Sequence, residues 1–245
     1  MTLAHDVSGS GSPVLLLHST VCDRRMWDPQ IAALVAAGHR VVRCDLHGYG
    51  DSPVPATSWS DAEDVLGLLD ELGVDRFALV GASGGGRVGL AIAARVPQRV
   101  TKLVLLATAL HGHVPGAQLS SYGAQEDELL AAGDVTAATE LNVRTWLGPD
   151  AGPEVREKLR QMQRHAFEVQ LAADPEVGPV PEDPDLAAIT APVLIVSGRH
   201  DLPDFREIAA GLADRFGARH VELDTGHLPS LEDPAAVNAL LTDFL

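Results

Sequence analysis

Val80-Gly81-Ala82-Ser83-Gly84-Gly85-Gly86 places one serine inside a Gly-x-Ser-x-Gly frame. Apolar residues at 77–80 precede it, and a helical pattern at 87–94 follows it. A serine hydroxyl is a poor nucleophile unless it is exposed, aimed and set beside a base. A sharp strand-to-helix turn does the aiming, and flanking glycines tolerate the close backbone approach and unusual dihedrals of such a turn. The same residues also suit an ordinary turn, where Gly and Ser are common. What separates the two is whether a base and a carboxylate follow in the right places.

Working outward, short β-branched and leucine-rich runs recur at 14–17, 40–44, 77–80, 103–107, 193–197 and 220–223. Continuous apolar runs of this length predict strands buried on both faces, as in a parallel sheet. Helical spacing fills the segments between them at 31–37, 61–72, 87–95, 207–216 and 235–245, several with Pro near the start or Gly just past the end. Strand and helix alternate, which predicts a doubly wound α/β sheet, mostly parallel. One block breaks the alternation. Residues 111–185 carry helical patterns at 126–132, 135–146 and 155–173, then a proline-rich irregular return at 174–185. This block is expected to form a helical cap, dividing the chain into a core of residues 1–110 and 186–245 and an insertion of 111–185. Its position after a strand whose carboxyl end borders the site gives the cap reading its weight.

The chain has 245 residues, 46% hydrophobic and 21% charged, enough to bury a sizeable core. A net charge of −16 disfavours nucleic acid and anionic membranes as partners. No apolar run approaches the ~20 residues needed to span a bilayer, and residues 1–6 show no secretory pattern. Two cysteines, Cys22 and Cys44, are too few for a disulfide framework and form no Cys-x-x-Cys pair. A cytoplasmic setting, a monomer or homodimer, and no cofactor or metal are expected.

Serine-based acyl transfer needs a base to take the hydroxyl proton and a carboxylate to orient that base. Ten histidines leave composition unable to choose. Position chooses. His227 lies in a loop after the last predicted strand, and Asp201 lies just after the one before it. In a doubly wound sheet both loops open at the same edge as Ser83. The order Ser83, Asp201, His227 is the serine–acid–histidine order of the α/β-hydrolase arrangement.

Five segments make the chain resemble the α/β-hydrolase superfamily over nearly its whole length, and within it small capped esterases and enol-lactone hydrolases. They are Leu15-Leu16-Leu17-His18-Ser19-Thr20, Asp45-Leu46-His47-Gly48-Tyr49-Gly50-Asp51-Ser52, the elbow at 81–85, the acid strand and loop at 192–201, and Gly226-His227 with Leu231-Glu232-Asp233-Pro234. The resemblance implies a helical cap inserted after the sixth strand. It implies Ser83 as nucleophile, His227 as base and then acid, and Asp201 as the orienting carboxylate. The oxyanion hole would use the backbone N–H of Gly84 and that of Thr20, with Ser19 as the rival donor. The chain departs from the family in two places. His18-Ser19 replaces the common His-Gly, and Ser19 takes positive φ only at a cost. Gly84 replaces a bulky residue, which predicts space beside the nucleophile for a larger acyl group.

Other candidates carry competing readings. His18 is expected to pack beneath the oxyanion loop, His200 to project away from the site, and Asp224 to polarise its turn. His111-Gly112-His113 resembles half a metal site but lacks partners. Arg24 and Arg25 would line the entrance or a solvated turn, with Trp27 in the core. Ser19, Trp146 and His165 are expected to contact substrate, and Met162 and Phe167 to contact it or pack internally. The predicted activity is hydrolysis of a small-molecule ester or lactone through an acyl-enzyme. The alternatives on the same triad are carbon–carbon bond hydrolysis or perhydrolysis, and beyond catalysis a hydrolase-like ligand receptor.

Overall fold

The apolar runs form the centre of one sheet in a computed structural model that describes residues 3–174 and 177–245. Met1 and Thr2 at the N-terminus, and Pro175 and Glu176 in the proline-rich return, lie outside the described residues. In chain order the first half comprises β1 (His5–Ser8), β2 (Ser12–Leu17), a 3-10 turn (Arg24–Trp27), α1 (Asp28–Ala36), β3 (His39–Cys44), α2 (Asp61–Glu71), β4 (Phe77–Ala82), α3 (Gly84–Arg95) and β5 (Val100–Leu106). The second half comprises α4 (Ala117–Ala131), α5 (Val135–Trp146), α6 (Pro153–Leu171), a short 3-10 turn (Leu186–Ala188), β6 (Val193–Gly198), α7 (Pro203–Phe216), β7 (Arg219–Leu223), α8 (Pro229–Glu232) and α9 (Pro234–Phe244).

The seven strands lie in the order β1-β3-β2-β4-β5-β6-β7. Only β1 runs antiparallel, paired with β3 through His5↔Cys44 to Ser8↔Val41. Alternate residues of the central strands feed two cores. Leu15, Leu17, Leu79, Leu103, Leu105 and Ile195 face one layer of helices, and Val14, Leu16, Val80, Val104, Leu194 and Val196 face the other. Burial on both faces explains why these strands read as unbroken apolar runs.

The strand order reverses between β2 and β4, with β3 on one side and β5 on the other. In such a sheet ligands bind outside the carboxyl ends of the strands at this switch point. Here those ends lead into His18–Ser19–Thr20 and into Ser83. Topology alone therefore puts the expected oxyanion loop beside the expected nucleophile.

The helical insertion follows the fifth strand of this sheet, not the sixth. The segment ahead of β2 supplies a single strand, because Gly9 and Gly11 (φ 74° and 118°) turn the chain from β1 straight into β2. Between β5 and β6 the described residues form no strand beyond an isolated bridge of Trp59 with Pro179. In α6 the buried residues Leu159, Met162, Gln163, Ala166 and Phe167 repeat at helical spacing. Met162 and Phe167 thus serve internal packing. No helix among the described residues is long and apolar enough to cross a membrane.

Candidate active site

Ser83 leaves β4 with φ 50° and ψ −118°, a region that costs a non-glycine residue about 1–3 kcal/mol. Four backbone hydrogen bonds hold it there. Its N–H donates to the Leu106 carbonyl at 2.9 Å, and its own carbonyl accepts from Gly86 (3.0 Å), Arg87 (3.1 Å) and Ala109 (3.0 Å). The glycines that follow let α3 press against β2. A Cβ on Gly85 would stand 2.4 Å from the His18 carbonyl oxygen, and one on Gly86 would stand 1.9 Å from Thr108 Oγ1. The strained turn and the tight helix start are one device, which aims the side chain at position 83.

Asp201 and His227 come together from the loops after β6 and β7. Asp201 Oδ2 lies 2.7 Å from His227 Nδ1, with 0% and 2% of the two side chains exposed. Asp201 Oδ1 accepts from the Leu202 N–H at 2.7 Å. With the carboxylate accepting at Nδ1, the network assigns the tautomer that leaves Nε2 as an acceptor. The His227 N–H donates to the Trp146 carbonyl at 2.8 Å. Phe205 and Trp146, themselves in contact at 5.6 Å, pack against the imidazole with centroids at 4.3 and 4.6 Å. Phe205 sits in the first turn of α7, directly after the Asp201 loop.

The oxyanion loop resolves into distinct jobs. The Ser19 N–H donates to Met26 Sδ at 3.2 Å, its hydroxyl accepts from the Val21 N–H at 3.4 Å, and its carbonyl accepts from Cys22 N–H and His18 Nδ1. Ser19 is fully buried, and its N–H is already spent. Among the described residues no protein acceptor takes the N–H of Thr20 or Gly84. The non-glycine residues with positive φ are Ser83 and Ala107. Ser19 therefore keeps an ordinary conformation, and the loop forms without the family's glycine. His18 braces it from beneath, bonding the Ser19 carbonyl through Nδ1 and accepting the Leu46 N–H at Nε2 (2.8 and 2.9 Å).

The space expected at Gly84 is taken. A Cβ there would stand 2.3 Å from Thr20 Cγ2, so the missing side chain makes room for Thr20 and not for an acyl group. Gly84→Ala should lower kcat/KM about tenfold by displacing the Thr20 loop, since losing one oxyanion donor outright costs ~3 kcal/mol. Adding Thr20→Ser removes the clashing methyl and should recover most of the loss in steady-state assays of the single and double variants.

Two other residues expected to contact substrate are engaged by protein groups. Trp146 is 4% exposed and spends its faces on His227, Phe205 and Tyr122. His165 Nε2 pairs with the Gly50 carbonyl at 2.9 Å and borders a separate cleft with Arg24, Arg25 and Asp51. Arg24 itself is the hub of an ion network, bonding Asp6, Asp45 and Asp51. Its backbone N–H also donates to Asp45 Oδ1 at 2.7 Å, bracing the loop that starts at Asp45.

The remaining competitors lie elsewhere. His200 pairs with Asp224 on the surface at 2.9 Å. His113 pairs with Asp204 at 2.9 Å, while His111 is exposed. Among the described residues no group of three His, Cys, Asp or Glu side chains is placed to hold a metal ion. Burial pushes the Cys22 and Cys44 thiols well above their ordinary range, so neither offers a thiolate nucleophile. A cavity of about 330 Å³ opens beside Thr20 and Gly84, bordered by Tyr49, Trp59, Asp61, Arg87 and Gln170. Burial raises the Asp61 carboxyl above the usual carboxylate range, against the Trp59 N–H that bonds it.

A strained serine between strand and helix, with a buried acid–histidine pair at the same sheet edge, defines a hydrolase of the α/β type. The family model described as "Alpha/beta hydrolase family" matches residues 14–240, and the chain belongs to that family. A Variovorax paradoxus (strain S110) protein provisionally named a carbamate hydrolase is 32% identical, covering 100% of this chain and 96% of its own. A 2-hydroxy-6-oxononadienedioate/2-hydroxy-6-oxononatrienedioate hydrolase of Pseudomonas putida is also 32% identical, covering 98% and 90%. The enol-lactonase from Burkholderia xenovorans LB400 superposes with a TM-score of 0.81 at 28% identity, covering 99% of this chain and 95% of its own.

Proposed function

We propose that this chain hydrolyses a carboxylic ester or lactone of a small molecule through an acyl-enzyme on Ser83. The observation that carries this reading is the buried 2.7 Å Asp201–His227 pair on the sheet edge where a strained turn sets Ser83, itself 5% exposed. His227 Nε2 takes the Ser83 hydroxyl proton as Oγ attacks the carbonyl carbon, and Asp201 stabilises the imidazolium that forms. The N–H groups of Thr20 and Gly84 receive the oxyanion, aided by the positive end of α3. The tetrahedral centre collapses, the alkoxide leaves with the proton from His227, and Oγ keeps the acyl group. Water then gives its proton to His227 and attacks the acyl carbon, and the acid leaves as Ser83 regains its proton. The insertion of residues 111–185 serves as the cap. The cavity beside Thr20 and Gly84 takes one half of the substrate.

Incubation with a p-nitrophenyl ester tests this. A stoichiometric burst of nitrophenolate and an acyl adduct on the Ser83 peptide by mass spectrometry are expected. Sustained turnover with no adduct at Ser83 overturns the reading. The Pseudomonas putida relative supports a second reading on the same residues, cleavage of a carbon–carbon bond next to a ketone. Faster turnover of a vinylogous diketone than of any ester would select it.

A further inference from the structure

His227 is held from the side of the helical insertion as firmly as from the sheet. Trp146 at the end of α5 accepts the His227 N–H on its carbonyl at 2.8 Å and lays its ring at 4.6 Å, tilted 46°, against the imidazole. The indole is in turn fixed by groups that touch neither Ser83 nor Asp201. Its Nε1 donates to Asn142 Oδ1 at 3.0 Å, one helical turn earlier on α5. Asn142 is fully buried and donates through Nδ2 to Glu126 Oε1 at 2.6 Å and to the Ala138 carbonyl at 3.0 Å. The Tyr122 hydroxyl lies 2.5 Å from Glu126 Oε1 and 2.8 Å from Asn142 Oδ1. The Tyr122 ring meets the indole edge-on at 4.8 Å.

Donor and acceptor arithmetic gives this chain of groups one arrangement. The indole N–H only donates, so the atom of Asn142 that faces it is the oxygen. Nδ2 then faces the Glu126 carboxylate, which only accepts. Burial and the Glu126 charge hold the Tyr122 phenol above its ordinary range, so it stays protonated and its one proton is shared between the two acceptors in reach, Glu126 Oε1 and Asn142 Oδ1. Flipping the amide would set NH2 against N–H in a dry site, which is costly. The Trp146 ring therefore has a single stable pose, set by α4 and α5 and presented to His227. Phe205 closes the cluster, edge-on to His227 at 4.3 Å and to Trp146 at 5.6 Å.

We propose that Tyr122, Glu126, Asn142 and Trp146 are positioning residues, a hydrogen-bonded relay running inward from the half-buried Tyr122 and Glu126, by which the insertion fixes the orientation of the His227 imidazole for proton transfer. This rests on His227 being the general base. A ring packed against two mutually touching aromatic side chains, with Nδ1 tied to Asp201, has its Nε2 lone pair aimed before substrate arrives. Misplacement of a reacting group by about 1 Å costs on the order of 100-fold in rate. Loss of the relay should therefore fall on kcat.

The test is Asn142→Leu, which keeps the side-chain volume and removes the acceptor for the indole, together with Trp146→Phe and the double variant. With a p-nitrophenyl ester, Asn142→Leu is expected to lower kcat about 10- to 100-fold with KM changed less than about twofold. The far-downfield proton resonance of His227 Nδ1–H should broaden or move. Trp146→Phe has no N–H to satisfy, so adding Asn142→Leu to it should cost little more than Trp146→Phe alone. Should Asn142→Leu not fold, Tyr122→Phe removes one donor to Glu126 and is expected to lower kcat severalfold with the same KM. Retention of kcat within twofold, with only the melting temperature reduced, overturns the proposal. So does a change confined to KM, which would make Trp146 a substrate contact. His227→Ala run alongside separates the two levels. If its kcat equals that of the wild type, the base assignment has failed. If it is inactive while Asn142→Leu keeps kcat within twofold of the wild type, only the relay has failed.

Discussion

Ser83→Ala should lower kcat by about 10⁴-fold or more, and Ser83→Gly should be equally inactive yet more stable than the wild type. The rate loss is what the proposed acyl-enzyme on Ser83 requires, and 10⁴-fold corresponds to about 5.5 kcal/mol of barrier. The stability gain follows from the backbone. Ser83 sits at φ 50°, ψ −118°, which costs about 1–3 kcal/mol without glycine. Glycine removes that cost and adds about 0.5–1 kcal/mol of unfolded-state entropy. The balance is about 1 kcal/mol, or roughly 2–4 °C in melting temperature for a chain of this size. Alanine keeps the strain and should melt near the wild type. Thermal unfolding and turnover on the three proteins check both halves, and an active Ser83→Gly would falsify the nucleophile assignment.

The second large effect is expected at Gly198, the last residue of β6. A Cβ there would stand 1.8 Å from the Gly226 carbonyl oxygen and 2.6 Å from that of Thr225. Both obstacles are backbone, so no rotamer change relieves them. Gly198 leads into the Asp201 loop and Gly226 immediately precedes His227. The added methyl is a wedge between acid and base. Gly198→Ala should lose about 3 kcal/mol of stability, as overpacking at its severe end does. It should also lose about 100-fold in kcat as the 2.7 Å Asp201–His227 bond lengthens. Denaturant unfolding and steady-state kinetics measure the two losses separately. A variant with normal melting and rate would show that the two loops do not need this approach.

The sequence disclosed whatever depends on local chemistry and chain order. Strands buried on both faces announced themselves as apolar runs, and the insertion as a break in alternation. The edge strand β1 escaped, because His5–Ser8 contains one apolar residue, Val7, and that residue is exposed. Helix α3 begins at Gly84, earlier than its pattern suggests, since three glycines carry no helical signal. The meeting of Asp201 with His227 was legible from loop position. The division of labour between Ser19 and Thr20 was not, because it turns on a sulfur, Met26 Sδ, that local pattern does not place. The reading of Gly84 as open space failed for the same reason. The atom that fills it belongs to Thr20 on a different loop. Asn142 and Tyr122 were invisible because their value lies in how the insertion is seated, which periodicity does not report.

Glu232 gives that seating a consequence for lineage and for recombination. Its carboxylate accepts from the N–H groups of Gly148 and Gly226 (2.8 and 3.1 Å) through Oε2 and of Leu228 (3.2 Å) through Oε1. One side chain thus sews the end of α5 to both flanks of His227. A Cβ on Gly226 would stand 2.4 Å from the Gly148 nitrogen, so the seam has no slack. Helical insertions in such a scaffold look like interchangeable cassettes, yet this one shares its last stitches with the base loop. A chimera cut at the obvious junctions after β5 and before β6 would import a foreign seam. Functional grafts must carry residues 146–148 and 226–232 as a matched pair, and the two segments should drift together when one of them changes.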